Sequence, residues 1–143
     1  MNYSDKIKGW DDIKVGDTAS FTKTMTETDV ITWVGITGDL NPIHIDREYS
    51  KNTKFGDVLV PGVLVLGLIS NVMTQLTFGN VYANQSIKFT KPVYIGDTVT
   101  ATGTVIEKLE EKNMVKVETK VTNHKGELIM IGEGMEYIFR EKK

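Results

Sequence analysis

One stretch of the chain constrains its fold more than any other. Residues 61–78 contain no Asp, Glu, Lys, Arg or His, and a helix that is apolar nearly all round is surrounded by protein. Pro61 suits the first turn of such a helix, where a missing N–H costs nothing, and Gly79 suits its end. The stretch falls short of the ~20 predominantly apolar residues of a membrane span, and Asn71 and Thr74 interrupt it. It therefore predicts a buried core helix and no membrane partner.

A run of strands follows this helix. Between residues 115 and 121, valines alternate with charged side chains, which is the pattern of a half-buried strand with one wet face. Turn signals at residues 96–97 and 124–126 separate neighbouring strands. The predicted strands are residues 19–22, 86–91, 98–105, 115–121 and 127–139. Because a sheet needs its apolar face covered, the sequence predicts an α+β fold in which about five antiparallel strands pack on one long helix.

The segment between the first strand and the long helix has its own signals. Residues 26–29, Thr-Glu-Thr-Asp, resemble a helix start, because hydroxyl and carboxylate side chains can satisfy the free amides there. Apolar residues follow at helical spacing, and Gly38 suits the end of that helix. A loop over residues 38–46 and a short polar helix near residues 47–51 complete the prediction for this part.

The composition limits what the protein can bind. Its 143 residues fit the usual ~100–150 residues of one domain, and since no linker is visible we expect residues 1–143 to form a single domain. The formal net charge of -2 provides no basic field for nucleic acid or an anionic membrane. Disulfides and thiol nucleophiles are excluded because the chain has no cysteine. With no apolar h-region near Met1, we expect a cytoplasmic protein.

Two residues of the loop at 38–46 could carry chemistry. Asp39 and His44 are separated by five positions, which lets turn or extended backbone bring both side chains to one point. Pro42 stiffens the loop, because it fixes its own φ and restricts Asn41. From spacing alone, two interpretations stay open. The carboxylate and the imidazole could share one water, or Asp39 could cap a turn while His44 packs under the helix.

A resemblance to a known family begins at these residues. Residues 38–46, Gly-Asp-Leu-Asn-Pro-Ile-His-Ile-Asp, resemble the hydratase motif of MaoC-like dehydratases and (R)-specific enoyl-CoA hydratases. Residues 60–70 at the helix start and residues 85–97 agree with the family in order and spacing. The resemblance covers about residues 11–138, and it implies the hot-dog fold, in which a sheet curls around one central helix.

The resemblance also implies a reaction and roles for three residues. The reaction is the reversible syn addition of water to trans-2-enoyl-CoA, which gives (R)-3-hydroxyacyl-CoA. Asp39 is then the general base and His44 its partner, both within ~2.6–3.2 Å of the attacking water. How the two share the proton stays open, because coupled groups titrate as a pair. Gly62 is implied as the N–H donor to the thioester oxygen, where the helix dipole also favours negative charge.

Two further residues are candidates for the substrate-binding site. Ser70 matches a serine near the active site of the family, although a helical serine more often bonds its own i−4 carbonyl. Asn41 is a turn former by residue type and a candidate orienter of Asp39. Many relatives have a histidine just before the glycine that aligns with Gly62. This chain has Pro61 there, so no side-chain contact is carried over to that position.

Cofactors and partners follow from the same resemblance. Hot-dog chains pair edge to edge, so we expect a homodimer or a higher homo-oligomer. We expect an acyl-CoA thioester substrate and no cofactor. A metal site is not expected, since His44 and the absence of cysteine leave too few ligands for zinc. The second histidine, His124, lies in a predicted turn, and we expect it to be solvated.

Two other functions stay open on the sequence. Many hot-dog acyl-CoA thioesterases carry an acid on the central helix, and acyl-carrier-protein dehydratases pair such an acid with a histidine. Residues 61–78 contain no acid, which speaks against both. A non-catalytic acyl-CoA-binding module would not need Asp39 and His44 together. The sequence therefore favours the hydratase.

Overall fold

The computed structural model describes residues 3–140 of the chain. Within them lie five strands, β1 (Thr18–Thr24), β2 (Val81–Phe89), β3 (Thr98–Leu109), β4 (Met114–Asn123) and β5 (Leu128–Tyr137). The α-helices are α1 (Glu27–Thr37), α2 (Pro42–Ile45), α3 (Arg47–Lys51) and α4 (Gly62–Thr77). Short 3-10 helices lie at Ser4–Lys6, Trp10–Asp12 and Glu110–Lys112. Residues 1–2, on which the expectation of no signal peptide partly rests, and 141–143 lie outside the described residues.

The strands form one antiparallel sheet in the order β1-β3-β4-β5-β2. This confirms the predicted hot-dog arrangement of five antiparallel strands and one long helix. Strands β2 and β3 are longer than predicted. The pairing register shifts between Tyr82 and Asn84 in β2 and between Val105 and Glu107 in β3. Because such a bulge breaks the two-residue period, the alternation of apolar and polar residues did not predict the additional residues of β2 and β3.

Helix α4 lies against the sheet with one apolar face. The buried apolar side chains of that face are Val65, Ile69, Val72, Met73 and Leu76. The opposite face is exposed and carries Val63, Gly67, Ser70, Asn71 and Thr74. The prediction that protein surrounds this helix on all sides is therefore wrong for the single chain. A single curled sheet covers only one side of a helix, and the lack of charged residues on α4 hid this difference.

The predicted helix ends are confirmed at α1. The hydroxyl of Thr26 accepts the N–H of Asp29 at 3.1 Å, and the Asp29 carboxylate accepts the N–H of Thr26 at 2.8 Å. Gly38 ends the helix in the left-handed conformation, with φ of 72°. Helix α4 begins at Gly62, and Pro61 takes the position before its first residue. The longest helix among residues 3–140, α4, has 16 residues, and none of the described helices qualifies as a membrane span.

Candidate active site

The motif loop, residues 38–46, lies between α1 and α3. The N–H of Gly38 donates to the carbonyl of Val34 at 2.8 Å, which fixes where the loop begins. The one-turn helix α2 begins at Pro42 inside the segment that was predicted to be loop throughout. Proline suits this first position because it has no N–H to satisfy. The turn therefore places His44 on helical backbone.

Asp39 is held by its neighbours in the loop. Its N–H donates to Oγ1 of Thr37 at 3.2 Å, and its Oδ1 accepts the N–H of Asn41 at 3.2 Å. The side chain of Asn41 caps α2 instead, since its Oδ1 accepts the N–H of Ile43 at 3.4 Å. Asn41 thus contacts the Asp39 carboxylate through its backbone. Within the described residues, Oδ2 of Asp39 has no hydrogen-bond partner.

His44 is tied to the chain that leads into α4. Its Nδ1 lies 2.8 Å from the carbonyl oxygen of Leu59. Because a carbonyl oxygen only accepts, Nδ1 donates in this contact, and Nε2 is then the ring nitrogen that can act on another molecule. The N–H of Leu59 donates to the carbonyl of Ile43 at 2.9 Å. The bond to Ile43 ties Leu59 to the motif loop, and the bond from Nδ1 orients the ring of the half-buried His44.

The segment that leads into α4 contacts the motif loop through Leu59, whose N–H donates to Ile43. Leu59 precedes Gly62 by three residues, and the N–H of Val60 donates to the carbonyl of Val93 at 2.8 Å. The first amides of α4, those of Gly62 and Val63, have no acceptor among residues 3–140. Free amides at a helix start carry partial positive charge and can bind an anionic oxygen. Gly62 therefore offers the kind of donor that the sequence predicted there.

Asp39 and His44 are not hydrogen-bonded to each other in the part of the chain that the structure describes. Each is oriented by a different partner, Asp39 by the motif loop and His44 by Leu59. Oδ2 of Asp39 and Nε2 of His44 have no hydrogen-bond partner among residues 3–140.

An apolar cavity of about 420 Å³ opens beside Gly62. Its lining includes Phe55, Leu59, Gly62, Val63, Phe89 and Ile129. A volume of this size lies within the range of ligand pockets, ~300–1,000 Å³. Leu59 lines this cavity and also accepts the hydrogen bond from His44, whereas the side chains of Asp39 and His44 are not part of the cavity wall. The cavity is suited to an apolar group.

Ser70 and His124 lie away from this group. Ser70 is exposed on α4, eight residues after Gly62, which is about 12 Å along a helix axis. No bond from Ser70 to its i−4 carbonyl is found among the described residues, whereas Thr77 makes one to Met73 at 2.8 Å. His124 is exposed in the turn between β4 and β5. No three His, Cys, Asp or Glu side chains of residues 3–140 lie together as a metal site would require.

Sequence reasoning missed two residues that hold the loop in place. The first is Leu59, which acts through its backbone and therefore leaves no signal in the side-chain pattern. The second is Arg47, whose guanidinium contacts Glu27 at 2.9 Å and Asp57 at 3.3 Å. These contacts join the starts of α1 and α3 to the segment before α4. The three charged residues are distant in sequence, so their spacing could not reveal the contact.

A buried acid lies at the other end of α4. Glu136 of β5 is 2% exposed, and its Oε2 has no hydrogen-bond partner in the described structure. Burial raises the pKa of Glu136 to about 7, and the neighbouring hydroxyl of Thr77 partly opposes this shift. Burial, with the neighbouring Glu136 carboxyl, also raises the pKa of Tyr82 to about 12. Glu136 lies two residues from Gly134 and two from Ile138, so the alternation of the strand places all three on its buried face. This alternation could have indicated a buried acid, but the sequence analysis did not consider it.

Comparison with known proteins shows which proteins this chain resembles. The family described as "MaoC like domain" matches residues 13–126. A protein named "(R)-specific enoyl-CoA hydratase", from Rhodospirillum rubrum, is 42% identical over 126 residues, which are 87% of this chain and 87% of that protein. A tomato (Solanum lycopersicum) protein named mitochondrial 3-hydroxyacyl-[acyl-carrier-protein] dehydratase FERN is 35% identical, over 85% of this chain and 74% of that protein.

Solved structures agree with these matches. The unliganded R-hydratase PhaJ1 from Pseudomonas aeruginosa superposes with a TM-score of 0.85 and 32% identity, covering 93% of this chain and 86% of that chain. Each of these relatives is matched over most of its own length. The match therefore includes the motif loop, α4 and the sheet, and it is not confined to one segment.

Proposed function

We infer that the chain, which belongs to the MaoC-like domain family, is an (R)-specific enoyl-CoA hydratase. The enzyme is a hydro-lyase that adds water to trans-2-enoyl-CoA in a reversible reaction. Support comes from the 42% identity to the hydratase of Rhodospirillum rubrum over 87% of both chains. The fold agrees with that of the R-hydratase PhaJ1. The observation that carries the proposal at the site is the 2.8 Å hydrogen bond from Nδ1 of His44 to Leu59.

We propose that Asp39 and His44 hold and activate the water. The fixed Nδ1–H of His44 leaves Nε2 to accept a proton from that water or to return one. Oδ1 of Asp39 is engaged by the N–H of Asn41, so Oδ2 is the oxygen available to the water. The oxygen of the water attacks Cβ of the enoyl group, and a proton is delivered to Cα on the same face. The product of this syn addition is an (R)-3-hydroxyacyl thioester.

Gly62 is proposed to stabilise the charge that forms on the thioester oxygen. Attack at Cβ moves electrons into the thioester carbonyl and produces an enolate. A preorganised N–H donor at such an oxygen contributes ~3–4 kcal/mol. The free amide of Gly62 at the positive end of α4 supports this role. The glycine also lets the substrate approach the backbone closely.

Asn41 and Ser70 have secondary roles in the proposal. Asn41 positions the Asp39 carboxylate through its backbone N–H. Ser70 is proposed to contact the substrate further along α4, outside the cavity beside Gly62, and its exposed position on the helix supports this contact. Neither residue is proposed to transfer a proton.

The assembly is proposed to be a homodimer in which residues 1–143 of each chain form one domain. The exposed face of α4 and the free edge of β2 support pairing, since both present groups that another chain can cover. All five strands share one sheet, which supports the single domain. The absence of cysteine supports a cytoplasmic location, where thiols are kept reduced. Sedimentation of the purified protein measures the oligomeric state directly.

The experiment that tests the function is hydration of crotonyl-CoA by the purified protein. We expect loss of the absorbance of the conjugated enoyl thioester and, on chiral analysis, an (R)-3-hydroxyacyl product. Assays with longer enoyl-CoA substrates measure the preferred chain length. Assays with enoyl groups on an acyl carrier protein show which carrier the enzyme accepts. An (S) product would contradict the proposed geometry.

Release of free CoA from acyl-CoA distinguishes the thioesterase alternative. Rapid release without hydration would favour a thioesterase. Binding of acyl-CoA with neither reaction would favour a non-catalytic binding module. The absence of any acid on α4 leads us to expect hydration without CoA release.

A further inference from the structure

The aromatic ring of Phe89 lies against the backbone of Gly62. A Cβ atom built on Gly62 would lie 2.8 Å from Cε1 of Phe89, 3.0 Å from Cδ1 and 3.4 Å from Cζ. Real side chains do not approach this closely, so the ring occupies the space that a side chain at position 62 would need. A side chain at position 62 would therefore displace the half-exposed ring of Phe89.

The backbone of Phe89 is fixed, whereas its ring is half exposed. Phe89 is the last residue of β2 and pairs with Met130 of β5. The next residue is also held, because the N–H of Thr90 donates to Ile129 at 2.9 Å and its hydroxyl donates to Leu128 at 2.6 Å. The side chain of Phe89 nevertheless remains 50% exposed. Because the backbone of Phe89 is held in place and its ring is half exposed, the ring offers an apolar surface to a ligand.

The same ring lines the apolar cavity beside Gly62. Phe89 thus contacts both the candidate oxyanion donor and the space that an apolar chain would enter. Phe55 and Val63 extend this wall on the cavity side. A thioester whose oxygen reaches the N–H of Gly62 must pass alongside the Phe89 ring.

We propose that Phe89 is a specificity-determining residue, whose ring bounds the cavity beside Gly62 and so limits the length of the acyl chain that fits while the thioester oxygen is bound at Gly62. The proposal rests on the function inferred above and deepens it. Contact with the ring favours a straight, short chain, because a rigid wall leaves little room for added bulk. Removal of the ring enlarges the cavity and weakens the hold on short chains.

Binding of saturated acyl-CoA, which cannot be hydrated, tests the proposal by calorimetry. The variants are Phe89→Ala and Phe89→Leu, and the matched control is Phe139→Ala. Phe139 is similarly exposed, at 55%, but does not line the cavity. We expect Phe89→Ala to change the ratio of the butyryl-CoA and octanoyl-CoA dissociation constants by about tenfold in favour of the longer chain. Phe89→Leu should show an intermediate ratio, and Phe89→Tyr, which keeps the ring, should restore that of the unmodified protein.

The contact with Gly62 gives a second, independent readout. A methyl group in Gly62→Ala displaces the Phe89 ring, so this change should alter the chain-length ratio in the intact protein. In the Phe89→Ala background the same change should have little further effect on the ratio, because no ring remains to be displaced. Additive effects of the two changes would contradict the proposal.

The outcomes separate this proposal from the proposed function. The role of Phe89 is overturned, even if hydration is intact, when the ratio of dissociation constants in folded Phe89→Ala stays within about twofold of the original. If the alanine variant does not fold, the same criterion applies to Phe89→Leu. A shifted ratio in a protein that never hydrates enoyl-CoA supports the role of Phe89 and contradicts the hydratase. No binding of either acyl-CoA by the unmodified chain overturns both.

Discussion

Nδ1 of His44 and the carbonyl oxygen of Leu59 are 2.8 Å apart, and this contact connects the motif loop to the start of α4. The ring donates in this bond, so its other nitrogen is free to act on a ligand. The residue that orients the imidazole lies three positions before Gly62, the candidate oxyanion donor. One short segment of backbone therefore connects the proposed proton-transfer group to the amide that is proposed to stabilise the negative charge.

Replacement of His44 should separate its two roles. In His44→Asn the amide can still donate to Leu59, but no nitrogen remains at the Nε2 position. We expect turnover to fall by ~10²–10⁴ in both His44→Asn and His44→Ala. Only the alanine variant leaves the half-buried Leu59 carbonyl without its donor, and the loss of one such hydrogen bond costs ~0.5–1.5 kcal/mol. Thermal unfolding and turnover should both be measured. His124→Ala is the control, which should keep the original stability and turnover. Equal turnover in His44→Asn and the unmodified enzyme would contradict the role of Nε2.

Replacement of Asp39 tests the proposed base. Asp39→Asn keeps the shape of the side chain and an oxygen for the N–H of Asn41, but it removes the negative charge. We expect turnover to fall by ~10²–10⁴ while the affinity for saturated acyl-CoA stays near its original value. Asp11→Asn, at an exposed position outside the site, is the matched control. Near-normal turnover in Asp39→Asn would mean that another group activates the water.

Two glycine substitutions should have opposite effects on stability. A Cβ at Gly103 would lie 2.8 Å from Val72 and 3.1 Å from Val117, so Gly103→Ala overpacks the core and should cost ~1–3 kcal/mol. Gly35 lies inside α1 with nothing near the position of a Cβ. Gly35→Ala should therefore stabilise the protein by ~0.5–1 kcal/mol, because alanine has the higher helix propensity. Chemical denaturation measures both, and a stabilised Gly103→Ala would show that the sheet and helix yield easily at this point.

Glu136 should make stability fall as the pH rises. Burial raises the pKa of Glu136 from its ordinary value of 4.5 to about 7, so between these pH values the unfolded chain releases a proton that the folded chain keeps. The stabilising contribution is complete below pH 4.5 and is lost as the pH rises to about 7, by up to ~3 kcal/mol. Glu136→Gln should remove this slope from the free energy of unfolding. Glu133→Gln, on the exposed face of the same strand, is the control that should keep it, and an unchanged slope in Glu136→Gln would exclude Glu136 as its source.

Local patterns in the sequence determined much of the fold. The cap at Thr26 and Asp29, the left-handed glycine at position 38 and the long helix with no charged residue all depend on neighbours within a few positions. Such interactions can be read from spacing, and the same holds for the alternating strand β4. The motif at residues 38–46 made Asp39 and His44 candidates through its resemblance to the family motif, whereas their spacing alone left two interpretations open.

Tertiary structure decided the features that depend on residues distant in sequence. The bulges of β2 and β3 arise from pairing between strands, and the exposed face of α4 results from a sheet that covers only one side. The bond from His44 to Leu59 joins residues 15 positions apart through a backbone atom, and the ring of Phe89 meets Gly62 only because β2 ends beside α4. Contacts of this kind leave no periodic signal, since their partners are brought together by the path of the whole chain.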